Sequence, residues 1–304
     1  MTHKKPAFDV TRHVADKLIA RMKEAKASGE SWEKPWIGGA GFALPVNAST
    51  GNEYRGVNIF SLIGESQASG YSSNQWASYK QWQALGGQVR RGETGSYIIF
   101  YKIIEKENGD KLPLIRYSKV FNGCQVEGAD VVTPDETRPA LAQRVELAES
   151  FFRNTGADIR HSDQRAAYYR RRSSTVTDSD YVHMPSIDLF KDTAHSTATE
   201  NYYSTLAHEL THWTGDKRRL DREKSARFGD AKYAFEELVA EIGSAFLCAH
   251  LDISAEPRID HAHYLNSWIE CLTDHPKAIM TACARASDAL DYVRELQAEK
   301  AVAA

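Results

Sequence analysis

The sequence predicts an α+β fold in two domains, and three observations carry that reading. At 304 residues the chain is long enough for two cores of roughly 100 to 200 residues each. The run EGADVVTPDETRP, at 127 to 139, sets Gly, Pro and acidic residues between periodic segments, as a linker does. Charge divides at the same place: residues 1–127 hold 17 Lys and Arg against 12 Asp and Glu, a net of +5, and the remainder nets -8, although the whole chain is only -3. The expected organisation is a small mixed domain over 1–127, a linker over 128–138 and a second domain over 139–304.

In the front half, Val14, Leu18 and Met22 recur every four residues and predict a helix over about 10 to 27. From Trp32 to Val57 the chain is rich in Gly, Pro and Asn, and irregular backbone is expected, with turns at Gly38-Gly39 and Gly51-Asn52. A second helix is read from Ser73 to Leu85, stopped by Gly86-Gly87. The β-branched and aromatic runs at 96–105 and 112–122 read as strands joined through Asn108-Gly109 in a tight hairpin.

In the back half, Pro139 opens a helix with the stripe Leu141, Val145, Ala148 and Phe152, closed by Gly156. Three short strands follow at 157–162, 166–171 and 180–185, the last read as an edge strand because of Pro185. A capping box at Thr197 and Glu200 starts a helix running to Trp213, and further helices are expected over 230–251, 259–272 and 276–298.

Composition excludes several classes. With 42% hydrophobic and 26% charged residues and no apolar run near the ~20 residues of a membrane span, no membrane partner is expected. The start MTHKKPAFDV lacks the apolar stretch of a secretory signal, and Cys124, Cys248, Cys271 and Cys283 form no CxxC pair. A cytoplasmic protein with reduced thiols is the expectation.

The strongest chemical signal is His208-Glu209-Leu210-Thr211-His212, an HExxH motif on the capped helix. Residues i and i+4 of a helix are neighbours, so both imidazoles can reach one metal ion while the Glu between them addresses its water. Chance alone gives roughly 0.03 such motifs in a chain of this composition. A catalytic zinc takes a third protein ligand and keeps one position open. Glu237 is assigned that place and Glu241, one turn on, is assigned to orient a ligating imidazole. Glu236 competes with Glu237, because spacing alone does not settle one residue of helical phase. Zinc so held lowers the pKa of its water, and Glu209 takes the proton as a peptide carbonyl is attacked. Tyr264, His263 and Tyr233 are candidate electrophiles, and His250, His261 and His263 read as ordinary surface histidines.

The basic front half also holds 15 of the 31 aromatic residues. Helical phase groups Trp76, Tyr79 and Lys80, with Trp82 nearby and Arg90 and Arg91 beyond the Gly-Gly stop; bases stack on such rings while cations follow phosphates. A Trp or Tyr at such spacing is more often core than platform, and the charges read equally as a solvated face.

Across nearly its whole length the chain resembles the antirestriction protein ArdC family of conjugative plasmids. The segments that carry the resemblance are LPVN (44–47), YRGVN (54–58), residues 70–95 and KVFNGCQVEG (119–128) in front, then YVHMP, LAHELTHWTG and YAFEELVAEIGSAFL behind. The resemblance implies a front domain that binds single-stranded DNA, including Arg55 of YRGVN, and a zincin-like metallopeptidase domain with an active-site helix. It places metal ligands at His208, His212 and Glu237, the catalytic acid at Glu209, and Glu241 behind them. Zn2+ is the expected ion, with Mn2+ or another divalent ion an alternative, since affinity alone does not select zinc. The run Arg170-Arg171-Arg172 departs from the family pattern. The implied function is protection of incoming plasmid DNA from host restriction during conjugation, with an unknown protein substrate for which a restriction-system component is a candidate. Two other readings are a DNA-binding shield with a structural metal, and an intracellular metallopeptidase with no DNA role.

Overall fold

The computed structural model describes residues 9–28, 43–105, 111–132, 139–193, 196–222, 231–253 and 265–303. Helix α1 (Val10–Ser28) buries Val14, Leu18 and Met22, the stripe read from the sequence. Strand β1 (Val46–Asn47) follows, and the expected turn at Gly51 is present with φ 72. Gly38-Gly39 and Asn108-Gly109 lie outside the described residues.

In the front half two elements differ from expectation. Helix α2 (Val57–Ser69) begins where irregular chain was expected to end and buries Val57, Ile59, Phe60, Leu62 and Ile63. The helix read over 73–85 is instead strand β2 (Gln75–Ala77) followed by the short helix α3 (Tyr79–Ala84). The break is chemical: Ser78 caps α3, with Ser78 Oγ accepting from Gln81 N at 3.4 Å and Gln81 Oε1 accepting from Ser78 N at 2.9 Å. Residues before that cap are free to pair as a strand.

Strand β2 lies inside a sheet ordered β1-β2-β5-β4, with β4 (Ser96–Glu105) and β5 (Lys111–Asn122) forming a long antiparallel pair. A two-stranded ribbon of β3 (Gln88–Val89) and β6 (Val126–Glu127) closes the front domain. Val132, within the expected linker, accepts from Ser73 Oγ and donates to Gln75 Oε1, so the start of that segment is tied to the front sheet.

Helix α4 (Leu141–Asn154) buries Ala148, Phe151 and Phe152, and ends before Gly156 at φ 71. Leu141 is exposed instead, while Arg144 is buried and pairs with Glu200 at 3.1 Å. Strands β7 (Ile159–Ser162), β8 (Tyr168–Arg170) and β9 (Tyr181–Pro185) form a sheet ordered β7-β9-β8. The expectation that β9 is an edge strand is therefore wrong. Its pairing with β8 ends at His183, so Pro185, which lacks an N–H, stands beyond the last residue that β8 needs.

Helices α5 (Ala198–Thr214), α6 (Ala231–Leu251), α7 (Leu265–Asp274) and α8 (Ala278–Ala303) complete the fold, α5 packing on α6 and both on α8. The expected Thr197/Glu200 capping box opens α5. One buried hydrophobic cluster runs from Val14 on α1 to Val293 on α8, joining the two domains through α1 against α7 and α2 against α8. All four cysteines are free. Among the described residues no helix is long and apolar enough to cross a membrane.

Candidate metal centre

Helix α5 carries His208, Glu209 and His212 into the interior, and α6 crosses it to bring Glu237 opposite them. The crossing is close at Gly243, where a Cβ would lie 2.5 Å from Cγ2 of Thr211. The two imidazoles point their Nε2 atoms at one spot, 3.2 Å apart. The Glu237 carboxylate faces both, with Oε2 3.5 Å from His208 Nε2 and Oε1 3.5 Å from His212 Nε2. All three groups offer ligand atoms within 4.8 Å of one another, and His208 and Glu237 are buried.

Behind the imidazoles stand two more carboxylates. Glu241 Oε1 is 3.4 Å from His208 Nδ1, and Glu236 Oε1 is 3.8 Å from His212 Nδ1. A ligating His commonly turns its second nitrogen to such a group, which fixes tautomer and ring orientation. Placement separates Glu236 from Glu237. Glu237 faces both Nε2 atoms, whereas Glu236 backs His212 and accepts from Arg222 Nε at 3.0 Å. The second supporting carboxylate, Glu236, was weighed only as a competing ligand.

Electrostatics agree with a site built for a cation. Burial opposes a charge on His212, yet Glu237, then Glu236 and Glu209, hold its pKa well above the ordinary imidazole value. Burial would raise the Glu237 carboxyl, but His212 and His208 hold it far below the usual range. Glu236 is likewise lowered by His212 and Arg222 against the effect of burial. Two nitrogens and a carboxylate converging in a buried place suit a divalent ion with preference for N and O ligands. Glu209 is 4% exposed on the same helix. A cavity of about 680 Å³ opens from His212 and Glu237, and Tyr233, one turn before Glu237, lines it. Tyr264, His261 and His263 lie outside the described residues. His250 is no surface histidine: its Nδ1 accepts from Arg294 at 2.6 Å, between the domains.

In the front domain the grouping by helical phase fails. Trp76 is 0% exposed on β2, and Trp82 is 1% exposed with Nε1 donating to the Phe121 carbonyl at 2.9 Å. Both are core, so neither offers a ring face to a base. Tyr79, Arg90 and Arg91 instead share a surface groove of about 550 Å³, with Tyr79 42% exposed and Lys80 exposed beside it. Arg90 also pairs with Glu93 at 2.8 Å. Arg55 stands apart from this groove, its guanidinium on Asp291 of α8.

Comparison with known proteins places these features. The zincin-like metallopeptidase family matches residues 146–285, and the N-terminal domain of anti-restriction factor ArdC matches residues 8–146. The crystal structure of metal-free antirestriction ArdC protein from the R388 plasmid superposes with a TM-score of 0.73 at 38% identity, covering 96% of this chain and 99% of that one. The chain belongs to the ArdC antirestriction family. The Mn(II)-bound form of the R388 ArdC protein is similar at a TM-score of 0.71 and 39% identity, covering 95% and 98%. ArdC-type sequence also extends to the uncharacterized protein y4eC of Sinorhizobium fredii, 38% identical over 96% of this chain and 93% of that protein. DNA primase TraC of Escherichia coli is 36% identical over 95% of this chain, which spans only 27% of TraC.

Proposed function

We propose that this ArdC-family chain protects incoming plasmid DNA during conjugation by holding single-stranded DNA on its front domain, residues 1–127, and cleaving a protein near that DNA with residues 139–304. The observation that carries the enzymatic half is the convergence of both Nε2 atoms on Glu237, with carboxylates behind both rings. A divalent ion held by His208, His212 and Glu237, zinc or manganese, would supply Lewis acidity toward a peptide carbonyl and acidify a water. The protein's own part is proton handling and positioning. Glu209 accepts the proton from the attacking water and passes it to the leaving amine. The Tyr233 hydroxyl, on the cavity wall a turn from Glu237, donates to the oxygen that becomes negative.

Glu209→Gln should lower kcat/KM toward peptides by about 100-fold or more with metal content unchanged, the usual range for losing a general base. Undiminished turnover in that variant removes Glu209 from the reaction.

For the DNA half, Tyr79, Lys80, Arg90 and Arg91 form the candidate surface, an exposed ring flanked by three cations. In a salt titration of the full chain, Arg90→Ala and Arg91→Ala should each weaken single-strand binding and reduce the slope of log K against log salt by about one. Preference for duplex DNA, or no salt dependence, contradicts the assignment. If protection survives Glu209→Gln but not the arginine variants, the strand is shielded by occupancy alone.

A further inference from the structure

The domain that carries the metal residues is acidic overall, at -8 over residues 128–304, yet the cavity beside those residues is walled by cations. Arg171, Lys232, Lys277 and Arg285 reach it from four separate places: the end of β8, the first turn of α6, the junction of α7 with α8, and α8 itself two turns further on. Such convergence is unlike the solvated face of one helix, where charges follow a single turn. Only two carboxylates line the cavity among the described residues, Glu236 and Glu237. Glu236 accepts from Arg222 and backs His212, while Glu237 belongs to the ligand set. Among the described residues, Lys232, Lys277 and Arg285 form no ion pair. The Arg285 guanidinium lies over the Phe235 ring, 5.3 Å from its centroid, and both side chains line the cavity. Tyr168 and Tyr169 add aromatic surface to the lining.

We propose that this cavity is the subsite for an acidic side chain of the protein substrate, an Asp or Glu close to the scissile bond, with Lys277 and Arg285 as the residues that select it. The assignment rests on the peptidase reading. Its chemistry is ordinary: a forked guanidinium and an ammonium take a carboxylate bidentately and by point charge. A pocket of this size is the scale of a side chain and its neighbours rather than a polymer track. Cations gathered in a cleft of an acidic domain focus attraction on the cleft and leave the surroundings repulsive to a nucleic-acid backbone. Arg171, from the run at 170–172, adds a further cation to the lining.

The test uses the full chain loaded with zinc or manganese and a set of fluorogenic peptides that differ at one position beside the scissile bond. Glu or Asp there should raise kcat/KM at least tenfold over Gln or Asn, and more over Lys, with the advantage shrinking as salt rises. The double variant K277E/R285E should invert the order of Glu and Lys peptides at unchanged metal content; K277Q/R285Q, milder for folding, should erase the preference. Cleavage without any acidic preference overturns the subsite and leaves the peptidase reading standing. In parallel, Glu209→Gln protein is titrated with an acidic peptide by fluorescence anisotropy. Binding that weakens about tenfold in the K277Q/R285Q background supports the subsite even if no peptide is turned over, in which case the peptidase reading falls alone. A single-stranded oligonucleotide that displaces the peptide, and whose own binding falls equally in K277Q/R285Q, assigns the cavity to phosphates and overturns the proposal.

Discussion

Arg222 shows how much of the metal site depends on a residue that touches none of the candidate ligands. Its buried guanidinium donates through Nε to Glu236, through Nη1 to Thr214 Oγ1 at 3.0 Å, and through Nη2 to the Thr211 carbonyl. It thereby ties the C-terminal turn of α5 to the first turns of α6 and holds Glu236 behind His212. Arg222→Met strands a buried carboxylate, so a loss of about 3 to 5 kcal/mol is expected in urea unfolding. Arg222→Lys keeps the charge but not the fork, and should fall between the two. Because the imidazole orientation is fixed from behind, Arg222→Lys should also weaken metal binding about 10- to 100-fold in a chelator competition. Wild-type affinity in a folded Arg222→Lys protein would show that Glu236 positions nothing. At this scale the sequence was informative about type and incomplete about phase. HExxH singled out His208, Glu209 and His212 as candidates, but adjacent Glu236 and Glu237 differ by about 100° of helical turn, and only the crossing of α5 and α6 brings Glu237 to the two Nε2 atoms.

That crossing is a property of elements. Gly243 sits where α6 meets Thr211, and added bulk there must push the helices apart, because the obstructing atoms belong to a β-branched side chain whose hydroxyl donates to the Ala207 carbonyl at 2.8 Å. Gly243→Ala should therefore cost about 1 to 3 kcal/mol despite the better helix propensity of Ala, and should weaken metal binding by widening the gap between Glu237 and the imidazoles. Calorimetry with and without metal checks both; an unchanged metal-induced rise in Tm would mean that the helices absorb the methyl elsewhere. Long periodic elements were legible: α1, α4, α5 and the β4–β5 pair follow their patterns, and the Thr197/Glu200 box marks the start of the metal helix. The short ones were not. A three-residue strand such as β2 has no measurable period, and the apolar spacing of Trp76, Tyr79 and Trp82 mimicked one helix face. The Ser78-x-x-Gln81 capping box was the signal that separates β2 from α3, and it places the two tryptophans in the core. For β9, what mattered was where pairing with β8 stops, a tertiary fact invisible to the rule that puts Pro on edges.

At the scale of the whole molecule, the two domains share more than a hydrophobic cluster. Arg294 of α8 grips Glu53 of the front domain with both arms, at 2.7 and 2.9 Å, and donates to His250 Nδ1 on α6. Arg55 pairs with Asp291, and Ser287 Oγ accepts from Gly56 N at 2.9 Å. The unequal charges, +5 in front and -8 behind, favour this docking, and the pairs give it register. Accepting from a guanidinium keeps His250 neutral. Burial first and Arg294 second push its pKa down to about 4, outweighing the pull of Glu53, with the Phe151 ring packed on its other side. Well above pH 6.5 the imidazole is neutral in both folded and unfolded chains, and its low pKa has no effect on stability. As pH falls through 6.5 toward 4 the unfolded chain takes up a proton that the fold refuses, so stability declines and levels off below pH 4. At pH 5 the loss from this one group is about 2 kcal/mol. His250→Gln still offers Arg294 an acceptor but cannot titrate. Having lost the ring contact with Phe151, the variant should unfold at a lower urea concentration than wild type at pH 7.5, and, having no imidazole to titrate, lose about 2 kcal/mol less than wild type on going to pH 5. Equal losses in the two proteins would mean that His250 is free to take up a proton in the folded state, and that the contact between domains tolerates a cation at its centre.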